Sequence, residues 1–302
     1  MPVNDFQTVL NAAIADLLAN GFDSAERVQR WTRELRAAAE RSLISAASLE
    51  QQLRDGLAAI YRRMVDEGGV IKYNPGVERF TLEKIKPALR AELDRRIMAS
   101  ADLIKLNRAQ AIDKTLQRFQ GWSTSIPPGG VSGETRAEVK KTIRKSLGAL
   151  PFEERRVLID QGHKLVSSIN DIIASDGGAI AGEWRSHYRQ SGYDYREDHK
   201  ERDSKVYLIR DSWAHRAGLV KKGGRPFVDE IEAPAQLPFC RCFYVYKYAL
   251  RDLPEEMLTA KGKTSLNAVR SAARTDSAEP APRPAVGYEA HKLRLTRLRN
   301  QL

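Results

Sequence analysis

Long apolar runs are missing from this chain. No stretch approaches the roughly 18 to 20 consecutive apolar residues that a bilayer-spanning helix needs. The N-terminus also lacks a basic region followed by an apolar one, so neither a membrane span nor a signal peptide is expected. Cysteine is nearly absent: the only two are Cys240 and Cys242. They stand one residue apart, their loop is too short to staple a fold, and a reducing compartment is expected. A Walker-type phosphate loop, a Gly-x-Ser-x-Gly elbow and a His-Glu-x-x-His helix are absent too, which removes the usual signatures of ATPases, hydrolases and metalloproteases. No internal repeat of the solenoid type is visible.

What is present points to ordered, compact structure. The 302 residues exceed one ordinary core and suggest two units of about 100 to 200 residues each. With 42% apolar and 29% charged residues, the chain can bury real cores, so it is not wholly disordered, collagenous or disulfide-stapled. Fifty Lys and Arg against 39 Asp and Glu give a formal charge of +11. That excess favours polyanions or acidic protein surfaces as partners without choosing between them.

The first part of the chain has helical periodicity. Phe6, Val9, Leu10, Ala13, Ile14, Leu17 and Leu18 follow 3.6-residue spacing up to Gly21, a C′ glycine. A longer series, capped by Asp23 or Ser24, runs from Val28 through Trp31, Leu35, Leu49, Leu53 and Ile60 to Met64, and Gly68 and Gly69 end it. After the Tyr73-Asn74-Pro75-Gly76 turn, Leu82, Ile85, Leu89, Leu93, Ile97, Ile104, Ile112, Leu116 and Phe119 predict another long helix, with Pro87 near its start. Residues 1–120 therefore predict a helical body. The Gly- and Pro-rich stretch 121–133 predicts a hinge loop.

Residues 134–258 predict helices followed by a small mixed module with its core at about 179–248. Val139, Ile143 and Leu147 suggest a short helix. Pro151 fits the first turn of the next, which carries Val157, Leu165, Ile169 and Ile173, and Ile180, Trp184 and Tyr188 suggest one more. The period then shortens. Val206 to Ile209, Phe227 to Ile231 and Phe243 to Tyr248 predict short antiparallel strands. In the last of these, Cys242, Tyr244, Tyr246 and Tyr248 share one face, either as part of a packed sheet or as a platform for stacking bases. Residues 259–302 predict a linker and a basic terminal peptide, in which Leu295 and Leu298 form an apolar stripe among Lys292, Arg294, Arg297 and Arg299. That peptide is a candidate contact for protein or nucleic acid. The fold class expected is thus α+β and predominantly helical: a long-helix body, a small mixed module and an extended tail.

One constellation narrows the function. Arg196 and His199 open a polar stretch, and Cys240-Arg241-Cys242 closes the module about forty residues later. This arrangement resembles the phage head morphogenesis family, the Mu F-like minor head proteins, whose module opens with an Arg-x-x-His element and closes with a Cys-Arg-Cys element. The resemblance covers roughly residues 179 to 248. The chain departs from the pattern at Asp203-Ser204, where the family often has Asp-Gly, and at Phe239, where Asn is common before the cysteines. The resemblance implies a low-copy component of phage heads, associated with the portal, the capsid interior or packaged DNA.

The same residues carry chemistry of their own. Cysteines two apart on an extended strand point to one side, and a returning His199 supplies a third donor for a tetrahedral zinc site, with Asp203 or His215 as the fourth. The competing reading makes Cys240 and Cys242 small buried groups and His199 a hydrogen-bonding pin between the module's ends. Arg196 and Arg241 then tie those ends through carboxylates such as Asp198 or Asp203, or alternatively face phosphates. A metal-dependent nuclease built on Asp198-His199 with His215 is the enzymatic alternative. His163 and His187 fall on helical patterns as surface or packing residues.

The expectation is a structural, non-enzymatic minor head protein in the virion, at the head interior or portal vertex, present in the host cytoplasm during assembly. Its expected partners are the portal protein, the major capsid or scaffolding protein, and packaged double-stranded DNA. No membrane partner is expected. Zinc is the sole candidate cofactor.

Overall fold

The computed structural model describes residues 3–276 except 23, 76, 78 and 132–135. It is a predominantly helical α+β fold, with two long helices and a three-stranded antiparallel sheet. The basic terminal peptide, with Lys292, Arg294, Leu295, Arg297, Leu298 and Arg299, lies outside the described residues, as does His291.

Helix α1 (Val3–Asn20) buries Phe6, Leu10, Ala13, Ile14 and Leu17. It stops where Gly21 adopts φ 74° and its N–H donates to the Leu17 carbonyl at 2.8 Å, the left-handed ending that glycine accommodates. Ser24 caps α2 (Ala25–Ser42), its hydroxyl accepting from the Arg27 N–H at 3.2 Å. The apolar series expected as one helix is divided. Leu43 turns extended and Ser45 caps a new helix, α3 (Ala46–Tyr61), by accepting from the Ser48 N–H at 3.1 Å. A hydroxyl that satisfies an orphan N–H competes with helix continuation, which periodicity alone does not register.

Helices α4 (Arg79–Ser123) and α5 (Arg136–Asp176) pair along their lengths. They run antiparallel: Arg118 reaches Ser146, Arg108 reaches Glu154 and Arg96 reaches Ser168. Pro151 does not begin a helix as the sequence suggested; it lies within α5, just as Pro87 lies within α4. An interior proline costs about 3 kcal/mol. Each buried large side chain returns about 1.5–3 kcal/mol, and Ile143, Leu150, Val157, Leu165, Ile169 and Ile173 are all buried along α5. Packing therefore carries the helix through the break.

Three apolar cores fill the described body. One joins α1 and α2 to the C-terminal half of α4 and to Ile143; a second joins α3 to the first half of α4 and to Leu165, Ile169 and Ile173; a smaller third joins Leu49 and Leu53 of α3 to Ala101, Ile104 and Val157. Helix α5 thus belongs to the body, and the change of architecture comes after Asp176 rather than at 121–133. The described part of that hinge is a packed strap. Helix α4 already includes Gly121, Ile126 is buried in the first core, and the Val131 N–H donates to the Leu18 carbonyl at 3.1 Å.

The module's sheet has the order β2-β1-β3. Strand β1 (Ala181–Arg185) is central, pairing Ala181 with Leu208 of β2 (Val206–Leu208) and Arg185 with Phe243 of β3 (Phe243–Lys247). A helix was expected around Ile180, Trp184 and Tyr188. Positions four apart share a face under a period of two as well as under 3.6, and Gly177-Gly178 ends α5 beforehand. A side chain at Gly182 would meet the Tyr244 ring at 2.9 Å, so glycine lets the neighbouring strand's ring lie over β1. The strand expected at Phe227 to Ile231 is a 3₁₀ turn, Val228–Glu230, fixed by the Glu230 carboxylate accepting from the Phe227 N–H at 2.9 Å.

Buried Tyr244 and Tyr246 make the tyrosine face of β3 a packed surface rather than a stacking platform. The first part of the expected linker is helical, α8 (Ala260–Asp276). Thr259 Oγ1 caps it by accepting from the Gly262 N–H at 3.1 Å, and Leu266 packs on the module's core.

Candidate functional site

Three short elements converge beneath the sheet. His199 stands on α6 (Glu197–Glu201), one turn after Arg196, while Cys240 and Cys242 stand at the entrance to β3. The turn that presents Cys240 is fixed by its own N–H donating to the Leu237 carbonyl at 3.2 Å and by the Phe239 N–H donating to Asp160 Oδ1 at 2.6 Å. The wholly buried Trp184 ring on β1 packs against the imidazole, with centroids 5.1 Å apart and planes near perpendicular. Local geometry thus orients each of the three side chains before they meet.

His199 Nδ1 lies 3.5 Å from Cys240 Sγ and 3.5 Å from Cys242 Sγ. All three residues are buried, and their donor atoms fall within 4.8 Å of one another. The Ala235 N–H also donates to Cys240 Sγ, at 3.4 Å, and Ser186 Oγ lies 3.9 Å from Cys242 Sγ. The hydrogen bond from Cys242 holds the Cys240 thiol below the usual range, helped by backbone donors and His199. Cys242 is pushed above that range because its proton is the one held between the two sulfurs. The pair therefore shares a single ionisation.

The other face of the imidazole is polar. His199 Nε2 is buried without a hydrogen-bond partner, 3.8 Å from Asp198 Oδ2 and 3.9 Å from Glu232 Oε2. Asp198 itself holds Arg202 at 2.9 Å, and that guanidinium lies 5.1 Å above Trp184. The sequence did not mark Glu232, and it offered Trp184 as a helix residue rather than as part of the site.

The remaining site candidates separate. Asp203 accepts from the Ser186 N–H at 2.8 Å, closing the loop that follows β1. His215 lies on α7 (Trp213–Arg216), where Nδ1 accepts from the Asp211 N–H at 3.3 Å and the ring abuts Phe227. Neither joins the His–Cys cluster, so the sequence's two proposals for a fourth donor, and for a second active-site histidine, have no counterpart here. Arg196 and Arg241 do link the module's ends, but not through Asp198 or Asp203. Arg196 Nη2 donates to the Pro238 carbonyl at 3.1 Å, and Arg241 Nη1 donates to Gln190 Oε1 at 3.2 Å while its N–H donates to Tyr193 Oη at 3.1 Å. His187 is not helical; it follows β1, with its ring against Phe243. His163 lies on α5, where burial lowers its pKa, assisted by Arg241.

The residues that seat the module on the body were not visible in the sequence. The Tyr246 hydroxyl donates to Asp171 Oδ1, the Tyr248 hydroxyl donates to Asn74 Oδ1 at 2.7 Å, and Ser167 Oγ donates to the Pro234 carbonyl at 3.0 Å. Burial raises Asp171 to about 6, against the lowering effect of the Tyr246 hydrogen bond.

Four non-glycine residues among those described have left-handed backbones: Ser204 at φ 63°, Asp211 at φ 57°, Ala235 at φ 63° and Phe239 at φ 61°. Beside Phe239 an aromatic patch reaches solvent. Phe152, Ile159 and Phe239 are exposed, and the Arg156 guanidinium lies 3.9 Å over the Phe239 ring and 5.5 Å from that of Phe152. Among the described residues no helix is long and apolar enough to cross a membrane. Comparison with family models, with curated proteins and with solved structures returned no match.

Proposed function

We propose that this chain is a minor head protein of a tailed bacteriophage, acting by protein–protein binding during head assembly beside the portal. The observation that carries this reading is the backbone at Ser204 and Phe239. These are the positions where the resemblance to the Mu F-like proteins expects Gly and Asn, the residues that tolerate positive φ best. The two departures in sequence thus fall on places where the backbone favours the family's own residues. Contact between His199 and both cysteines, 41 and 43 residues later, gives the two motif elements a common structural role and supports the same reading.

The patch of Phe152, Ile159 and Phe239 with Arg156 has the aromatic and arginine composition of a binding hot spot and suits a protein partner such as the portal, the major capsid protein or a scaffold. Helix α4, of 45 residues, is about 65–70 Å long, and its pairing with α5 offers a long helical surface to such a partner. Phe152→Ala with Ile159→Ser should release the chain from the portal in disrupted heads while leaving its melting temperature unchanged. Absence of the unaltered chain from both procapsids and virions would refute the proposal.

A second reading rests on charge. Lys114, Lys141, Arg144 and Lys145 are exposed where α4 meets the start of α5, with Lys140 and Arg118 beside them. Such a surface suits sequence-independent contact with packaged DNA, whose affinity falls steeply as salt rises because bound counterions are released. Duplex binding that barely changes between low and moderate salt would exclude it. The metal-dependent nuclease alternative predicts DNA cleavage that disappears in His199→Ala while the module stays folded.

A further inference from the structure

We propose that His199 Nδ1, Cys240 Sγ and Cys242 Sγ bind a zinc ion that locks the module closed. The inference stands on local geometry and does not depend on membership of a phage head.

The two sulfurs are equidistant from one ring nitrogen, at 3.5 Å each. A single imidazole nitrogen offers either one lone pair or one proton, so it can complete only one directed hydrogen bond, and a matched pair of contacts is not what hydrogen bonding requires. A tetrahedral ion explains the match. Zinc bonds of about 2.3 Å to sulfur and about 2.0 Å to nitrogen, at the tetrahedral angle, place the two donors about 3.5 Å apart.

Surrounding contacts fit a ligated state. Zinc at Nδ1 requires the proton on Nε2, and that atom is buried, lacks a hydrogen-bond partner and faces Asp198 and Glu232 at 3.8 and 3.9 Å. Carboxylates at this position orient a ligating histidine and strengthen it as a donor. The Ala235 N–H directed at Cys240 Sγ suits a metal-bound thiolate. Ser186 Oγ, 3.9 Å from Cys242 Sγ, is at hand for the fourth corner, directly or through a water. Burial of the ligands points to a structural ion: binding displaces the thiol protons and ties α6 to the start of β3.

The full chain should be purified under reducing conditions without chelator and analysed for metal by mass spectrometry. About one zinc per chain is expected, falling more than tenfold in His199→Ala and in Cys242→Ser, while Asp203→Ala and His215→Ala keep it. Because a ligand variant can unfold, the unaltered chain should also be stripped of metal and titrated with cobalt(II). Sulfur-to-cobalt charge-transfer absorption with the intense visible bands of tetrahedral cobalt is expected, together with a rise in melting temperature. A chain isolated without zinc that gives no such absorption and no thermal shift would overturn the proposal, as would full zinc content in Cys242→Ser.

Discussion

The body and the module are held together by different physics. The body's cores are built from apolar stripes on long helices, where any one contact is replaceable and registration follows from periodicity. The module buries Trp184, Tyr244 and Tyr246 as well, yet its three strands have only three to five residues each and are fixed by single contacts: His199 to two thiols, Glu230 to a backbone N–H, Asp203 to Ser186. A short sheet cannot set its own register by length, so specific polar and sulfur contacts do so. The body should therefore tolerate loss of individual contacts better than the module.

Removal of the module's central ring should have the largest effect. Trp184→Ala leaves a cavity beneath the imidazole and should cost about 3–5 kcal/mol, melting the module's near-ultraviolet circular dichroism at a temperature where the far-ultraviolet helical signal persists. Loss of both signals together would mean that the regions are one cooperative unit.

The seam between them should show in pH. Asp171, raised to about 6 by burial, binds its proton more tightly folded than unfolded. Its contribution to stability is then present below about pH 4 and is lost as pH rises through about 6, by roughly 2–3 kcal/mol. Asp171→Asn, which keeps an oxygen for the Tyr246 hydroxyl, should flatten that slope in chemical denaturation measured across the same range. An unaltered slope would locate the titrating group elsewhere.

Smaller gains and losses sharpen the contrast. Phe239→Asn and Ser204→Gly should each stabilise the module by about 0.5–1 kcal/mol by relieving left-handed backbone strain. In the body, a double-mutant cycle on the exposed Arg36–Asp113 pair, 2.7 Å apart, should return no more than about 0.5–1 kcal/mol.

The same contrast governs what could be read from the chain. Phe6 to Leu17 and Leu82 to Phe119 announce their helices because one stripe repeats with one period over many turns. Pro151 misled because it is a local breaker overridden by packing on both sides. Trp184 misled because, with Ile180 and Tyr188, it fits two periods at once. The pairing of His199 with Cys240 and Cys242 was legible through residue chemistry and family resemblance. Glu232 at His199 and Tyr246 at Asp171 were not, since nothing local marks partners 33 or 75 residues apart. The fourth-donor roles assigned to Asp203 and His215 failed because proximity in sequence does not set direction: Asp203 turns to a backbone N–H and His215 to Phe227.

The central claim, attachment inside a phage head, is tested most directly by cross-linking mass spectrometry on intact particles. Cross-links from lysines of the body and module to the portal protein are expected, at a low copy number per head. Particles that contain the portal and infect normally but yield no peptide from this chain would contradict it.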